Sequence, residues 1–256
     1  MSFYIATLYW RAGNKLTSSS SKKIYTITIY EYVGIWGSDY FYYSFNSIDR
    51  SAKTRNILLV KRKSDSKRAF ISSIKQVPSD FWDKYGIKES AHYNFFHLKN
   101  SEFFFAKHVV ICESPIDAYV LEKIIRPYIE DLIADVSFIA LDGVNNLAYP
   151  YYLLKELSVP FSVVFDYDFF FDYKNDKVED SRNKNGFPEY KNTITSLDSK
   201  RRIINDAFGD DLSKLEKANG YRKFFELIRT QHFYSMMYCL EIDLVCSSVA
   251  KSKYYD

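Results

Sequence analysis

His108-Val-Val-Ile-Cys-Glu113, Val136-Ser-Phe-Ile-Ala-Leu-Asp-Gly143 and Phe161-Ser-Val-Val-Phe-Asp166-Tyr-Asp168 are three short apolar runs, each stopping at a carboxylate or a glycine. Such runs, bounded by turn signals and separated by helical stretches, fit strands buried on both faces, as a parallel sheet requires. Open α/β sheets bind ligands at the carboxyl ends of their strands. Glu113, Asp166 and Asp168 are therefore expected at one edge.

Between the first two runs, Pro115 suits the first turn of a helix, and Ile116, Val120, Leu121, Ile124 and Ile125 recur at helical spacing up to Pro127. Between the second and third, Asn145 and Asn146 are candidate caps for a helix carrying Leu147, Tyr151, Leu154 and Leu157, stopped by Pro160. Strand, helix, strand, helix, strand predicts two right-handed crossovers. Phe169 to Lys191, rich in Asp, Asn and Lys, reads as a long solvated loop beside the site. Residues 196–250 read as three or four helices punctuated by Gly209 and Gly220. The last runs from about Gln231 to Ala250 with Met236, Leu240, Leu244 and Val245 on one face.

Upstream the character changes. Residues 3–10 and 24–36 are rich in β-branched and aromatic residues, Ile24-Tyr-Thr-Ile-Thr-Ile-Tyr30 most clearly, with a turn-forming serine tract at 18–21. Asn56 to Val60 and Ala69 to Ile74 read as a strand pair joined by the basic stretch Lys61 to Arg68. The expected division is a β-rich region over 1–105 and an α/β region with a helical extension over 106–256.

The bulk numbers, 47% hydrophobic and 26% charged residues in 256, describe a globular chain able to bury a core. Its formal charge of +3 hides an asymmetry: 17 Lys/Arg against 8 Asp/Glu in residues 1–108 (net +9), and 18 against 24 after them (net −6). A basic first part suits a polyanion and an acidic second part collects cations; an exposed, solvated hairpin is the alternative use of the basic residues. Three scattered cysteines make neither a disulfide framework nor a zinc set, which fits a reducing cytoplasm. No apolar run reaches membrane-spanning length and no leader-like segment opens the chain.

Glu113 and Asp117 lie four residues apart across a strand-to-helix turn. Asp166 and Asp168 flank Tyr167, and on an extended strand end such alternate side chains point the same way. Carboxylates gathered like this repel one another until a divalent cation neutralises them, and oxygen ligands without His or Cys select Mg²⁺ or Mn²⁺. Alone, an Asp-x-Asp after a strand is a common turn device; joined to Glu113, Asp117 and Gly143 it reads as a site. Asp243 reads as a solvated or capping residue, because Glu241 and Asp243 cannot share one helix face. The histidines lack zinc spacing, and Cys112 reads as a small core residue.

Glu at the first strand end, Gly after the second and Asp-x-Asp after the third resemble the Toprim domain, found in topoisomerases, primases, recombination mediators and the OLD (overcoming lysogenization defect) nucleases. The lead-in Phe103-Phe-Phe-Ala-Lys-His-Val-Val-Ile-Cys-Glu113-Ser-Pro-Ile-Asp117 is similar to the OLD type, as is the late Leu240-Glu241-Ile-Asp243-Leu244. The resemblance spans roughly residues 100–250. It implies a Toprim-like Rossmannoid parallel sheet flanked by helices, with Glu113, Asp117 and Asp166 holding one Mg²⁺ or Mn²⁺ ion and Asp166 or Asp168 with Glu241 holding a second. Such a pair activates water and stabilises the leaving oxygen of a phosphodiester. The assisting lysine that follows the late Glu in that family is matched here by Lys251 or Lys253, with Lys251 taken as the candidate. Two positions depart from the pattern: Ser114 stands where the family usually has Gly, and Cys239 where a Ser often precedes the late Glu.

OLD nucleases usually carry an ABC-type ATPase with a glycine-rich phosphate loop. None is legible among the 8 glycines here, so an ATPase partner is expected on a separate subunit. The resulting expectation is a two-metal DNA endonuclease in an anti-phage defence system, with DNA held by Lys61, Arg62, Lys63, Lys67 and Arg68 and with self-association left open. The alternative is an inactive Toprim subunit that binds nucleic acid or scaffolds an ATPase. A topoisomerase is disfavoured because strand passage needs a further tyrosine-bearing domain, and a primase because no nucleotide-binding motif is legible.

Overall fold

The computed structural model describes residues 58–64, 70–97, 103, 106–129, 135–216 and 221–247. The chain divides into two compact units, one of residues 1–94 with 152–158 and one of residues 95–151 with 159–256.

The second unit is built on the three apolar runs. They form β3 (His108–Cys112), β4 (Val136–Ala140) and β5 (Phe161–Phe165), and a fourth strand, β8 (Phe233–Ser235), completes a parallel sheet of order β4-β3-β5-β8. Both faces are covered, which is why the runs are nearly continuous in apolar residues. Val110 and Cys112 point to an aliphatic layer made with Ala118 and Leu121 of α3 (Pro115–Ile125) and Leu240 of α8 (Leu240–Cys246). Val109 and Ile111 alternate to the opposite face and are fully buried. There the lining near β5 and β8 is aromatic: Phe165 stacks on Phe169 at 5.0 Å, Phe169 on Phe233 at 6.0 Å, and Phe170 meets Phe224 at 5.1 Å. Offset and edge-on rings at these separations add to the burial of their area. His108 bonds locally, its Nε2 lying 2.9 Å from Ser162 Oγ.

Several sequence expectations need correction. In α3 the inward face is Ala118 and Leu121 with Val120 and Ile125 beside them, whereas Ile116 and Ile124 are exposed. Asn146 does not cap α4 (Ala148–Glu156); its amide donates to the carbonyls of Leu141 at 3.0 Å and Asp142 at 2.9 Å, closing the turn after β4. The stretch after Asp168 is not a loop at its start. Phe169, Phe170 and Phe171 are buried, and β6 (Phe171–Tyr173) pairs antiparallel with β7 (Tyr190–Ile194), so only the excursion between them is largely solvated. The residues from 231 are not one helix: β8 interrupts them, and Val245 is exposed while Leu240 and Leu244 pack inward. Three β residues are too short a run for periodicity to separate from a helix turn. Before β8 come α5 (Asp198–Phe208), α6 (Leu212–Glu216) and α7 (Tyr221–Arg229).

In the first unit, β1 (Leu58–Ser64) and β2 (Phe70–Gln76) pair antiparallel, Lys61 opposite Ser73 and Arg62 opposite Ser72. Lys61, Arg62 and Lys63 thus lie within a strand rather than in the connection read from the sequence, because the ladder continues past Val60. The α1 helix (Phe81–Tyr85) ends at Gly86 in the left-handed conformation, φ +56°, which glycine adopts at least cost. Tyr85 stacks on Tyr152 at 4.0 Å, and Glu156 accepts hydrogen bonds from Lys84 at 2.6 Å and from the Tyr85 hydroxyl. The α2 helix is Ser90–His97. Among the described residues, no helix is long and apolar enough to cross a membrane.

Candidate metal centre

The parallel register sets Cys112 opposite Val164, so Glu113 and Asp166 leave adjacent strand ends on the same edge of the sheet. Opposite Phe165 stands Ser235 of β8, and the chain then turns into α8, bringing Glu241 to that edge. Two backbone bonds fasten the turn: Met236 N–H to Phe165 O at 3.0 Å, and Tyr167 N–H to Tyr238 O at 3.1 Å. Behind Glu113 lies the β4 turn, where Gly143 N–H donates to the Glu113 carbonyl at 3.1 Å. Gly143 has φ +99°, ψ 148°, a region nearly closed to residues with a Cβ.

Glu113 Oε2 is buried and has no hydrogen-bond partner. Burial pushes its carboxyl up to about 7; the charges of Asp168, Asp117 and Glu241 push the same way, and Lys200 pulls against them. Asp166 is likewise raised to about 7, by burial first and then by Glu113, Asp168 and Asp117, while a hydrogen bond from Leu240 N–H to Oδ1 at 3.2 Å opposes the rise. Asp117, Asp168 and Glu241 thus lie within electrostatic reach of Glu113, and Glu113, Asp117 and Asp168 within reach of Asp166.

Their local geometry differs from that expectation. Asp168 does not follow Asp166 along an extended strand; Asp166 opens a 3₁₀ turn, Tyr167–Phe169, and Asp168 lies inside it. Asp117 is engaged by its own helix: Ser114 N–H donates to Asp117 Oδ2 at 3.0 Å and Asp117 N–H donates to Ser114 Oγ at 3.2 Å, a reciprocal capping box. This accounts for Ser114. Its φ of −128° is extended and asks for no glycine, and its hydroxyl supplies the cap. Asp243, inside α8, accepts from Met237 N–H at 2.5 Å and Tyr238 N–H at 3.3 Å and so holds the turn that leads into the helix. Cys239 precedes Glu241 at the start of α8, where burial holds its thiol up to about 11 and therefore neutral.

Three residues at this edge escaped sequence reading. Lys200 of α5 is 8% exposed, and its Nζ donates to the Asp168 carbonyl at 2.7 Å and lies 3.9 Å from Asp168 Oδ2. The signal was present: Lys200 falls in register with Ile203, Ile204 and Phe208, a lysine inside an apolar helical stripe. Tyr173 and Tyr190, stacked at 5.1 Å, have hydroxyls raised by burial, with Asp168 and Asp166 adding to the rise. Lys251 lies outside the described residues, as do Lys67 and Arg68, and of Lys61, Arg62 and Lys63 only the backbone is described.

Among the described residues no three His, Cys, Asp or Glu side chains form a ready-made cage. The donors nonetheless fit a hard divalent ion. Mg²⁺ binds through one or two carboxylates, keeps several waters and takes substrate phosphate oxygens, and an unpartnered buried carboxylate oxygen beside further acids suits it. No curated protein matches the chain. Residues 104–168 match the family described as overcoming lysogenization defect protein-like, TOPRIM domain, a match that runs from the lead-in to β3 through Asp168. On that match and the parallel sheet that carries it, this segment is a Toprim domain of the OLD-like type, a family whose activities are of nuclease or other nucleic-acid-related kind.

Proposed function

We propose that the chain is a Mg²⁺- or Mn²⁺-dependent endonuclease that hydrolyses DNA phosphodiesters at the Glu113–Asp166 edge. The observation that carries this reading is Glu113 Oε2, buried without a partner among acids whose charges raise its carboxyl. An oxygen left so costs free energy that a bound cation returns. A divalent ion there supplies an activated water and charge neutralisation at the leaving oxygen. Glu113 and Asp166 orient the ion from adjacent strand ends; Leu240 N–H fixes the Asp166 carboxylate, and Asp168 and Glu241 extend the negative edge. Basic residues Lys61, Arg62, Lys63, Lys67 and Arg68 hold backbone phosphates in this reading. An ATPase partner on a separate chain and an anti-phage role complete it; affinity purification from cells that recovers no ATPase would end the partner proposal.

The test is cleavage of supercoiled plasmid with Mg²⁺ or Mn²⁺. Nicking that requires metal and disappears in Glu113→Ala supports the reading; intact plasmid with retained DNA binding refutes it. A second reading, a Toprim subunit that binds nucleic acid or scaffolds an ATPase without cutting, is favoured by the engagement of Asp117 in its capping box, which removes one oxygen from the ligand set.

A further inference from the structure

Lys200 is a buried cation set among the acids that a metal would bind. An ammonium taken out of water is costly unless paired, and Lys200 is paired within the site itself, to the carbonyl and carboxylate of Asp168. Its position is fixed by α5, whose apolar stripe Ile203, Ile204 and Phe208 anchors the same helical face. Of the carboxylates at this edge, Asp117 has one oxygen in the capping box, Asp168 faces the ammonium, and Glu241 stands on the first turn of α8. Glu113 and Asp166, half-buried at adjacent strand ends and with Glu113 Oε2 unpartnered, supply the one or two carboxylates a single Mg²⁺ takes.

Resting on the metal-dependent reading above, we propose that the Lys200 ammonium stands in for a second divalent ion, so that the centre holds one ion and one resident lysine cation. The ion sits with Glu113 and Asp166, and Lys200 neutralises Asp168 on the other side of the edge. This departs from the two-ion arrangement that the resemblance implies. A merely structural lysine, bracing the 3₁₀ turn through the Asp168 carbonyl, would leave the number of ions unchanged when replaced.

The experiment is Mn²⁺ titration of the full chain by calorimetry, with electron paramagnetic resonance of the loaded protein, and needs no cleavage. Wild type is expected to bind one ion per chain without spin coupling, and Glu113→Ala none. Lys200→Met is expected to bind two ions and Lys200→Arg one. Two ions in wild type, or one in a folded Lys200→Met protein, overturns the proposal while leaving the metal-dependent reading intact. No ion in wild type overturns both. Should Lys200→Met fail to fold, the wild-type stoichiometry and Lys200→Arg still decide.

Discussion

The turn after β3 and the turn after β5 each deliver two acids to the same edge, and they treat them differently. After β3, the second acid is consumed locally: Asp117 closes a capping box with Ser114, leaving Glu113 Oε2 without a partner. After β5, both acids are held from a distance, Asp166 by Leu240 N–H from 74 residues away and Asp168 by Lys200 from 32. A carboxylate at a motif position is therefore not automatically a ligand. What its oxygens already accept decides how much of it remains for a cation.

The sharpest way to break this comparison is isosteric substitution at each acid. Glu113→Gln and Asp166→Asn should each lower metal-dependent cleavage on the order of 10³-fold, the loss of several kcal/mol of charge stabilisation. Asp117→Asn should cost far less activity, since Asp117 sits in the capping box on the first turn of α3 rather than at a strand end. Equal losses in plasmid-nicking rates at all three positions would dissolve the distinction.

A second effect concerns stability without metal. Glu113 and Asp166 titrate near 7 in the folded chain against ordinary values of 4.5 and 3.8, so the native state binds more protons than the unfolded one across that window. Stability should be fullest below about pH 4 and fall as pH rises through 7. With chelator present, Asp166→Asn should therefore raise the melting temperature at pH 8 and lose that advantage near pH 4. Each kcal/mol corresponds to roughly 2–4 °C in a chain of this size. A variant that melts lower at pH 8 would show that the Leu240 hydrogen bond outweighs the repulsion.

Smaller still is the cap. Ser114→Ala should destabilise by about 1 kcal/mol and Ser114→Gly by a few tenths, because only the capping hydroxyl is lost. Denaturant midpoints with unchanged slopes measure both. The smallest effect lies away from both turns: Lys61→Ala with Arg62→Ala should flatten the salt dependence of DNA affinity by about 0.9 in slope per lost phosphate contact. An unchanged slope would remove the hairpin from the nucleic-acid surface.

Much of this was legible before the structure. The three core strands, α3 and the placing of Glu113, Asp166 and Asp168 at one edge follow from apolar runs that end in acids, Asp117 from its spacing to Glu113, and Glu241 only from the family resemblance. What sequence missed was non-local. Whether β8 pairs with β5, or Lys200 reaches Asp168, depends on chain segments brought together over tens of residues, which a window of periodicity does not see. Lys200 broke the polarity pattern of α5, and that local inconsistency marked the site. The Asp-x-Asp geometry differs because the extended strand ends at Phe165 rather than reaching Asp168, and a turn begins at Asp166.

The late placement of β8 also bears on synthesis. A ribosome delivers Glu113 and Asp166 well before residues 233–241, so the strand that flanks β5 and the backbone N–H that steadies Asp166 arrive last. During elongation one side of β5 is an unpaired ladder, the kind of edge that invites association with other chains, and its closure coincides with assembly of the acidic centre. The nascent protein is thus kept from a finished centre until its own sheet is sealed.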